Sequence, residues 1–265
     1  MYSAFQLALK YFRYYIQASN GNGHGMHSPF VYQFIQFILN NKNNYAPPEE
    51  LKQLRKQLLH NHNKIQVADL GAGSRITSSK VRKVSQIAHS ALKPEKYSEM
   101  LYRMVHHYNY SNIIELGTSL GVTTAYLSKA NPNAKISTIE GSEAVADIAQ
   151  HNFKTHNCNN IQLLRGNFDT VLPKALQQFQ SVDFAFIDGN HQYQPTINYF
   201  HQLLNKSNND TILIFDDIHW SSGMEQAWEE IKMNNDVRCT IDLFFMGLVL
   251  FRKEFLEKRH FIIRY

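Results

Sequence analysis

The hydrophobic and polar positions change their pattern at about residue 111. Beyond it, short apolar runs alternate with stretches of helical period, which is typical of a parallel sheet covered by helices on both faces. The predicted strands are Asn112–Leu116, Ile136–Ile139, Ile161–Leu164, Phe184–Ile187 and Thr211–Phe215. The predicted helices are Thr123–Ala130, Glu143–His156, Leu172–Phe179, Pro195–Asn205 and Met224–Met233.

The last part of the chain predicts a different connection between strands. After the helix Met224–Met233, the apolar runs CTIDLFF and GLVLFRK are separated only by Met246. That join is too short for a crossover and therefore predicts an antiparallel hairpin at the sheet edge. The fold class that follows is a doubly wound α/β fold with a mostly parallel seven-stranded sheet and an antiparallel C-terminal hairpin.

Residues 1–104 predict a helical extension, with the main domain at residues 105–265. Phe5, Leu9, Phe12 and Ile16 recur at helical spacing, so we expect an amphipathic helix over Tyr2–Ala18 that packs on the main domain. A helix on a membrane surface or in a homodimer is an alternative. The glycine-rich loop Ser19–Pro29 is either a lid over a site or a plain connector.

The segment Val67–Ser74, VADLGAGS, offers a first candidate for a nucleotide-binding turn. We interpret it as a decoy, because residues 76–92 are polar and helical in period. They supply no second strand that ends in an acid.

Composition limits the class of protein without identifying it. A chain of 265 residues with 43% hydrophobic content buries a full core. The net charge of +5 permits anionic partners, but lysines and arginines are scattered, so a nucleic-acid-binding arm is not expected. The cysteines Cys158 and Cys239 make no disulfide framework. With no signal-peptide pattern and no apolar run of ~20 residues, the prediction is a cytoplasmic protein without a membrane span.

A stronger candidate turn is IIELGTSLG, Ile113–Gly121. The apolar run contains Glu115, and Gly117 opens a tight turn before a helical segment, as in nucleotide-binding sheets. Ser119 occupies the place of the glycine that lets the backbone approach a pyrophosphate. Glu140 ends the next strand near the ~20-residue spacing of a ribose-binding acid. A nucleoside without a pyrophosphate indicates S-adenosylmethionine.

The order of motifs from about residue 95 to 253 resembles class I S-adenosylmethionine-dependent methyltransferases. The similarity is greatest to O-methyltransferases of the catechol O-methyltransferase type and to metal-dependent sugar and macrolide O-methyltransferases. This resemblance implies that the Gly117 turn, the ribose-binding acid, the GNFD segment and one later acid bind the cofactor. The implied residues are Glu115, Gly117, Thr118, Ser119, Gly121, Glu140, Asn167, Phe168, Asp169 and Asp188.

The resemblance also implies a site for a divalent cation. Asp188 in FIDGNH and the pair Asp216 and Asp217 in IFDDIHW match the family's metal ligands, and His191 matches its base. Catechol-type enzymes usually carry Asp-Asn and Lys at these places, whereas sugar-modifying relatives resemble the pattern here. An alcohol acceptor is therefore favoured over a catechol.

The chemistry of these residues agrees with such a site. Carboxylates at neighbouring strand ends repel one another, and an all-oxygen set with room for substrate suits Mg²⁺ or another divalent cation. A bound cation would hold a substrate hydroxyl while His191 removes its proton, and Asp188 would join His191 in catalysis. Any single Asp after a strand is more often a helix cap, but four acids at strand ends are hard to explain that way.

The sequence is therefore consistent with three classes of function. The first is a metal-dependent O-methyltransferase acting on a small hydroxylated molecule. The second is an RNA or protein methyltransferase, which the basic net charge and the N-terminal extension would suit. The third is an S-adenosylmethionine-binding protein without transfer activity. His219 and Trp220, just beyond the acidic pair, either line an acceptor pocket or pack in the core.

Overall fold

The computed structural model describes residues 1–23, 27–67 and 81–265. In these ranges the strands are β1 Lys64–Gln66, β2 Val81–Lys83, β3 Asn112–Leu116, β4 Lys135–Glu140, β5 Ile161–Arg165, β6 Phe184–Ile187, β7 Ile212–Asp216, β8 Cys239–Asp242, β9 Met246–Leu250 and β10 Arg259–Ile262. The helices are α1 Ala4–Gln17, α2 Pro29–Gln33, α3 Glu49–Leu59, α4 Val84–Ala91, α5 Glu95–Tyr108, α6 Val122–Ala130, α7 Glu143–Thr155, α8 Phe168–Leu176, α9 Tyr193–Leu204 and α10 Ser222–Met233. A π-helical turn, Phe34–Leu39, continues α2.

The chain forms two compact units. One comprises Asn44–Gln178 and the other comprises Met1–Asn43 with Phe179–Tyr265. The first of these units includes residues on both sides of residue 104. The predicted boundary there, between an N-terminal extension and the main domain, stays a prediction.

In the unit Asn44–Gln178, β3, β4 and β5 pair in parallel and in that order. The apolar runs of β3 and β4 are almost wholly buried, as expected of strands covered on both faces. Helices α5 and α6 pack against each other, and α3 contacts α6. The strands β1 and β2 form a separate antiparallel pair.

In the other unit the strand order is β10, β8, β9, β7, β6. Strands β6 and β7 are parallel, while β9 is antiparallel to both β7 and β8. The antiparallel hairpin predicted from CTIDLFF and GLVLFRK is thus confirmed, but its predicted place at the sheet edge is wrong, because β10 pairs with β8 and takes the edge. Gly247 allows the close approach of Trp228, since a Cβ atom there would lie 2.6 Å from the Trp228 ring.

The mostly parallel α/β architecture agrees with the predicted fold class, with two differences in detail. Strand β10 pairs in parallel with β8 and adds an eighth main strand to the seven predicted. It is short and half-exposed, so its stability depends on a partner strand that local sequence does not reveal. Residues 81–83 were predicted as helical, which is wrong, because they pair with β1 and the helix begins only at Val84.

The candidate turn Val67–Ser74 lies outside the described residues except for Val67, and so does part of the loop Ser19–Pro29. In the described ranges, no helix combines the length and apolar character that crossing a membrane requires. The cytoplasmic location stays a prediction.

Candidate active site

The turn between β3 and α6 has the backbone geometry that its glycines allow. Gly117 has φ of +100° and Gly121 has φ of +79°, in the region that favours glycine. The N–H groups of Gly117 and Thr118 donate to the Ile139 carbonyl at 3.0 and 3.1 Å. A Cβ atom at Gly121 would lie 2.6 Å from the Phe153 ring. The turn is therefore fixed against β4 on one side and α7 on the other.

Glu140, the last residue of β4, is held beside this turn by backbone donors. The N–H of Ser119 donates to its Oε2 at 2.8 Å, and the N–H of Ser142 donates to its Oε1 at 2.9 Å. Burial raises the pKa of Glu140, and the N–H groups of Ser142 and Ser119 act in the opposite direction. The structure thus brings the predicted ribose-binding acid to the predicted turn.

Glu115 is fully buried and bonded within the protein. Its Oε2 accepts hydrogen bonds from Thr138 at 2.6 Å and from Thr124. The Thr138 hydroxyl also contacts that of Thr118 at 2.6 Å. This polar network joins β3, β4, α6 and the Gly117 turn. It gives Glu115 and Thr118 a structural role that the sequence did not indicate.

We expect Glu115→Ala to destabilise the protein by about 3 kcal/mol, because it leaves buried threonine hydroxyls without their acceptor and opens a cavity. Thermal and urea unfolding measure this change. The matched control is Glu143→Ala, since the Glu143 side chain is 71% exposed and pairs with Arg165. Equal stabilities for the two variants would show that the network does not stabilise the fold.

The GNFD segment begins a helix. Asn167 is the N-cap of α8, and its side chain accepts from the N–H of Asp169 at 2.8 Å. Because of this cap, α8 begins four residues before the predicted start at Leu172. Asn167 and Asp169 are exposed and Phe168 is half-buried. Their predicted place at the adenine edge stays a prediction.

The other unit brings the second set of predicted residues together. Asp188 directly follows β6 and Asp216 ends β7, so these parallel neighbours place both acids at the same edge. Among the described residues, Asp188, His191 and Asp216 each offer one ligand atom, and these atoms lie within 4.8 Å of one another. The His191 Nε2 lies 3.6 Å from Asp188 Oδ1. Asp216 is 2% exposed, while the other two are half-buried.

Asp217 is outside that group of three. Its backbone is left-handed, with φ of +55°, and its N–H donates to the Phe245 carbonyl at 2.6 Å. The backbone reverses direction here instead of continuing β7. The role of Asp217 as a metal ligand stays a prediction.

His219 lies in a cluster of charged groups. Its Nδ1 is 3.0 Å from Glu225 Oε1, and its Nε2 is 2.9 Å from Asp242 Oδ2. Burial lowers the pKa of His219, but the hydrogen bonds to Asp242 and Glu225 outweigh burial and the net direction is upward. Glu225 also binds Lys10 Nζ at 2.9 Å and the Tyr2 hydroxyl at 2.7 Å. The cluster fastens α1 to the segment that follows the acidic pair.

The sequence did not indicate Asp242 and Glu225 as partners of His219. Asp242 lies 23 residues from His219 along the chain, and no local pattern connects an acid in a hairpin strand to a loop histidine. Both ring nitrogens of His219 contact carboxylates of its own unit, so these contacts hold the ring within that unit. A place for His219 and Trp220 in an acceptor pocket stays a prediction.

Both the sequence and the fold are similar to those of known proteins. Residues 114–218 match the family model described as a methyltransferase domain. An uncharacterized protein of Acanthamoeba polyphaga mimivirus is 29% identical over 117 residues, which are 40% of this chain and 53% of that protein. The match thus spans about half the length of that relative.

Many solved structures share the fold, and two of them illustrate the similarity. The O-methyltransferase from Bacillus cereus in complex with S-adenosylhomocysteine (SAH) is 20% identical, with a TM-score of 0.54 over 81% of this chain and 97% of that chain. The SAH-bound methyltransferase PaMTH1 from Podospora anserina is 12% identical, with a TM-score of 0.60 over 86% of this chain and 99% of that chain.

Residues 114–218 are thus similar to a methyltransferase domain, and the chain shares the fold of solved methyltransferases that bind S-adenosylmethionine or SAH. Solved O-methyltransferases are among the structures that share this fold, in agreement with the resemblance that the sequence motifs indicated.

Proposed function

We propose that the protein is an S-adenosylmethionine-dependent O-methyltransferase that uses a divalent cation to methylate a small hydroxylated molecule. The observation that carries this proposal is the convergence of Asp188, His191 and Asp216 at one sheet edge. Two acids and an imidazole held within 4.8 Å are costly to assemble without a ligand, because the carboxylates repel each other. A cation at this place would remove that cost.

The proposed cofactor-binding residues centre on the Gly117 turn and Glu140. Glu140 has a carboxylate already fixed by two backbone donors, so its remaining acceptor capacity would suit the two hydroxyls of a ribose. Ser119 at the turn would leave no room for a pyrophosphate, but S-adenosylmethionine has none. We include Asn167, Phe168, Asp169 and Asp188 in this set on the strength of the resemblance.

The donor set fits a hard or borderline divalent cation. Carboxylate oxygens suit Mg²⁺ and Mn²⁺, and an imidazole in the set favours Mn²⁺ over Mg²⁺ if it binds directly. Asp188 and Asp216 would hold the cation, and Asp217, which lies outside their group, is included as a third ligand on the strength of the resemblance. When bound, the cation would polarise the acceptor hydroxyl and make it easier to deprotonate.

His191 would receive the proton of the acceptor hydroxyl. The Nε2 atom at 3.6 Å from Asp188 Oδ1 places the ring beside the acid that would bind the cation. Asp188 would orient this ring as well as hold the cation, which accounts for its catalytic role. The deprotonated oxygen would then attack the sulfonium methyl group and the C–S bond would break, which would give a methyl ether and SAH with the proton left on His191.

The experiment that tests the proposal follows transfer of a labelled methyl group from S-adenosylmethionine to a panel of alcohols, sugars and phenols. The proposal expects labelled ether with Mg²⁺ or Mn²⁺ and its loss with EDTA. RNA and total protein serve as further acceptors, and label on either one in the presence of EDTA would contradict the proposal. A protein that binds the cofactor without any transfer would contradict it too.

We expect His191→Gln to lower kcat by about 10²–10⁴-fold, because general-base help is typically worth that much. The cofactor Kd should stay unchanged. The matched control is His201→Gln, which removes an exposed histidine of α9 in the same unit. Titration with Mn²⁺ separates two roles of His191: unchanged Mn²⁺ affinity supports a base, whereas a fall of about 10-fold or more would assign the ring to the metal instead.

A further inference from the structure

Helix α1 is apolar on two opposite faces. On its inner face, the rings of Tyr11 and Tyr14 lie 5.0 and 5.3 Å from that of Phe244, and Tyr14 is buried. Lys10 on the same side binds Glu225 at 2.9 Å. A capping box made by Ser3 and Gln6 begins the helix. The inner face alone is thus enough to fix α1 within its own unit.

The outer face carries four large apolar side chains in solvent. Phe5 is 73% exposed, Leu9 47%, Phe12 62% and Ile16 62%. At about 100° per residue these four lie within roughly 60° of each other around the helix axis. Singly exposed apolar residues are common, but a continuous stripe of them marks a surface that binds a partner.

The spacing of the stripe favours another helix as that partner. Intervals of four, three and four residues repeat the apolar positions of a heptad, which form the narrow seam of paired helices. Binding to a lipid surface calls for a wide apolar face with several cations beside it. In α1 the charged residues are Lys10, which is engaged with Glu225, and Arg13.

We propose that two copies of this chain form a homodimer through antiparallel pairing of their α1 helices. The stripe is complementary to itself in that orientation. Phe5 of one copy faces Ile16 of the other, and Leu9 faces Phe12, so a twofold axis passes between residues 10 and 11. Twofold interfaces of this kind are the commonest in homo-oligomers.

The area of the stripe is enough for a dimer of moderate affinity. Taking about 150–250 Å² for a large side chain, the exposed fractions of Phe5, Leu9, Phe12 and Ile16 leave on the order of 400 Å² per copy. Met1 and Tyr15, which are 63% and 48% exposed, border the stripe. Their contribution brings the total for two copies to about 1,200 Å², the lower end for stable interfaces. The dimer should therefore dissociate on dilution.

Sedimentation velocity of the full chain over a concentration series tests the proposal. It expects a species of twice the chain mass of 30.8 kDa at high concentration. Phe5→Glu and Ile16→Lys should each weaken the dimer by at least about 30-fold, because by symmetry each substitution places two unpaired charges opposite apolar side chains in the interface. Both side chains are exposed, so folding should be unaffected. The control Gln6→Glu adds a charge to the same helix outside the stripe and keeps the capping box.

Mixing the Phe5→Glu and Ile16→Lys variants tests the antiparallel orientation. The glutamate introduced into one copy would then face the lysine introduced into the other, while Phe5 and Ile16 remain paired on the opposite side, so a mixed dimer should form again. A parallel dimer would not be restored by mixing, and that result would overturn the proposed orientation. A monomer at every concentration, or a dimer insensitive to both substitutions, would overturn the interface. Flotation with phosphatidylcholine–phosphatidylserine vesicles, abolished by Phe5→Glu in a monomeric chain, would assign the stripe to a lipid surface instead.

Discussion

Replacing Asp216 by alanine should lower the proposed rate of methyl transfer by about 10³-fold or more, which corresponds to about 4 kcal/mol of transition-state stabilisation. Asp216 is the most buried member of the group with Asp188 and His191. Without Asp216, the carboxylate of Asp188 would be the one acid left in this group to hold the cation. The measurement is kcat with saturating S-adenosylmethionine and Mg²⁺.

The control for this variant is Asp210→Ala, which removes an acid that is 71% exposed and pairs with Arg252 at the surface. Cofactor affinity and thermal unfolding of Asp216→Ala show whether the site or the fold has been damaged. Metal-independent transfer by Asp216→Ala at the rate of the unaltered protein would contradict the proposed role. The companion Asp217→Ala measures how much of the cation's affinity the second acid supplies.

The second large effect is expected at Glu140. Glu140→Ala should weaken S-adenosylmethionine binding by about 10²-fold, because charged hydrogen bonds contribute about 1.5–3 kcal/mol each. The substitution also removes the acceptor of the Ser119 N–H and so loosens the Gly117 turn. Isothermal titration calorimetry measures the cofactor Kd directly.

Glu143→Ala is the matched control, since this exposed acid lies three residues further along in the first turn of α7. Its Kd should equal that of the unaltered protein. Asp216→Ala should also retain the cofactor Kd, so the two variants separate cofactor binding from cation binding. A well-folded Glu140→Ala that binds S-adenosylmethionine with unchanged affinity would remove Glu140 from the ribose site.

Local patterns predicted the buried strands well, because each is an apolar run long enough to be recognised alone. Strand β3 has the predicted bounds, and β4 extends the predicted strand by one residue at each end. Strands β1, β2 and β10 were missed because they are short and depend on pairing with segments elsewhere in the chain. In the same way, the Asn167 cap moved the start of α8 although the helix itself was expected.

The candidate site was predicted to a similar extent. Strand ends that carry acids indicated Asp188 and Asp216, and parallel pairing of β6 and β7 brings them to one edge. The sequence does not fix the distance between these acids, because that distance depends on side-chain rotation. The motif IFDDIHW also did not predict the left-handed backbone at Asp217. The burial of Glu115 between two threonines depends on Thr138, from a different strand. Contacts of this kind join residues that are far apart in the sequence, so a local motif does not predict them.

A crystal structure of the protein with SAH and Mn²⁺ would show whether the two proposed sites exist, because Mn²⁺ is located by its anomalous scattering. We expect one strong anomalous peak bounded by carboxylate oxygens of Asp188 and Asp216, with the ribose hydroxyls of SAH bound by Glu140. A crevice that holds SAH while Mn²⁺ is absent, or is bound elsewhere on the surface, would contradict it.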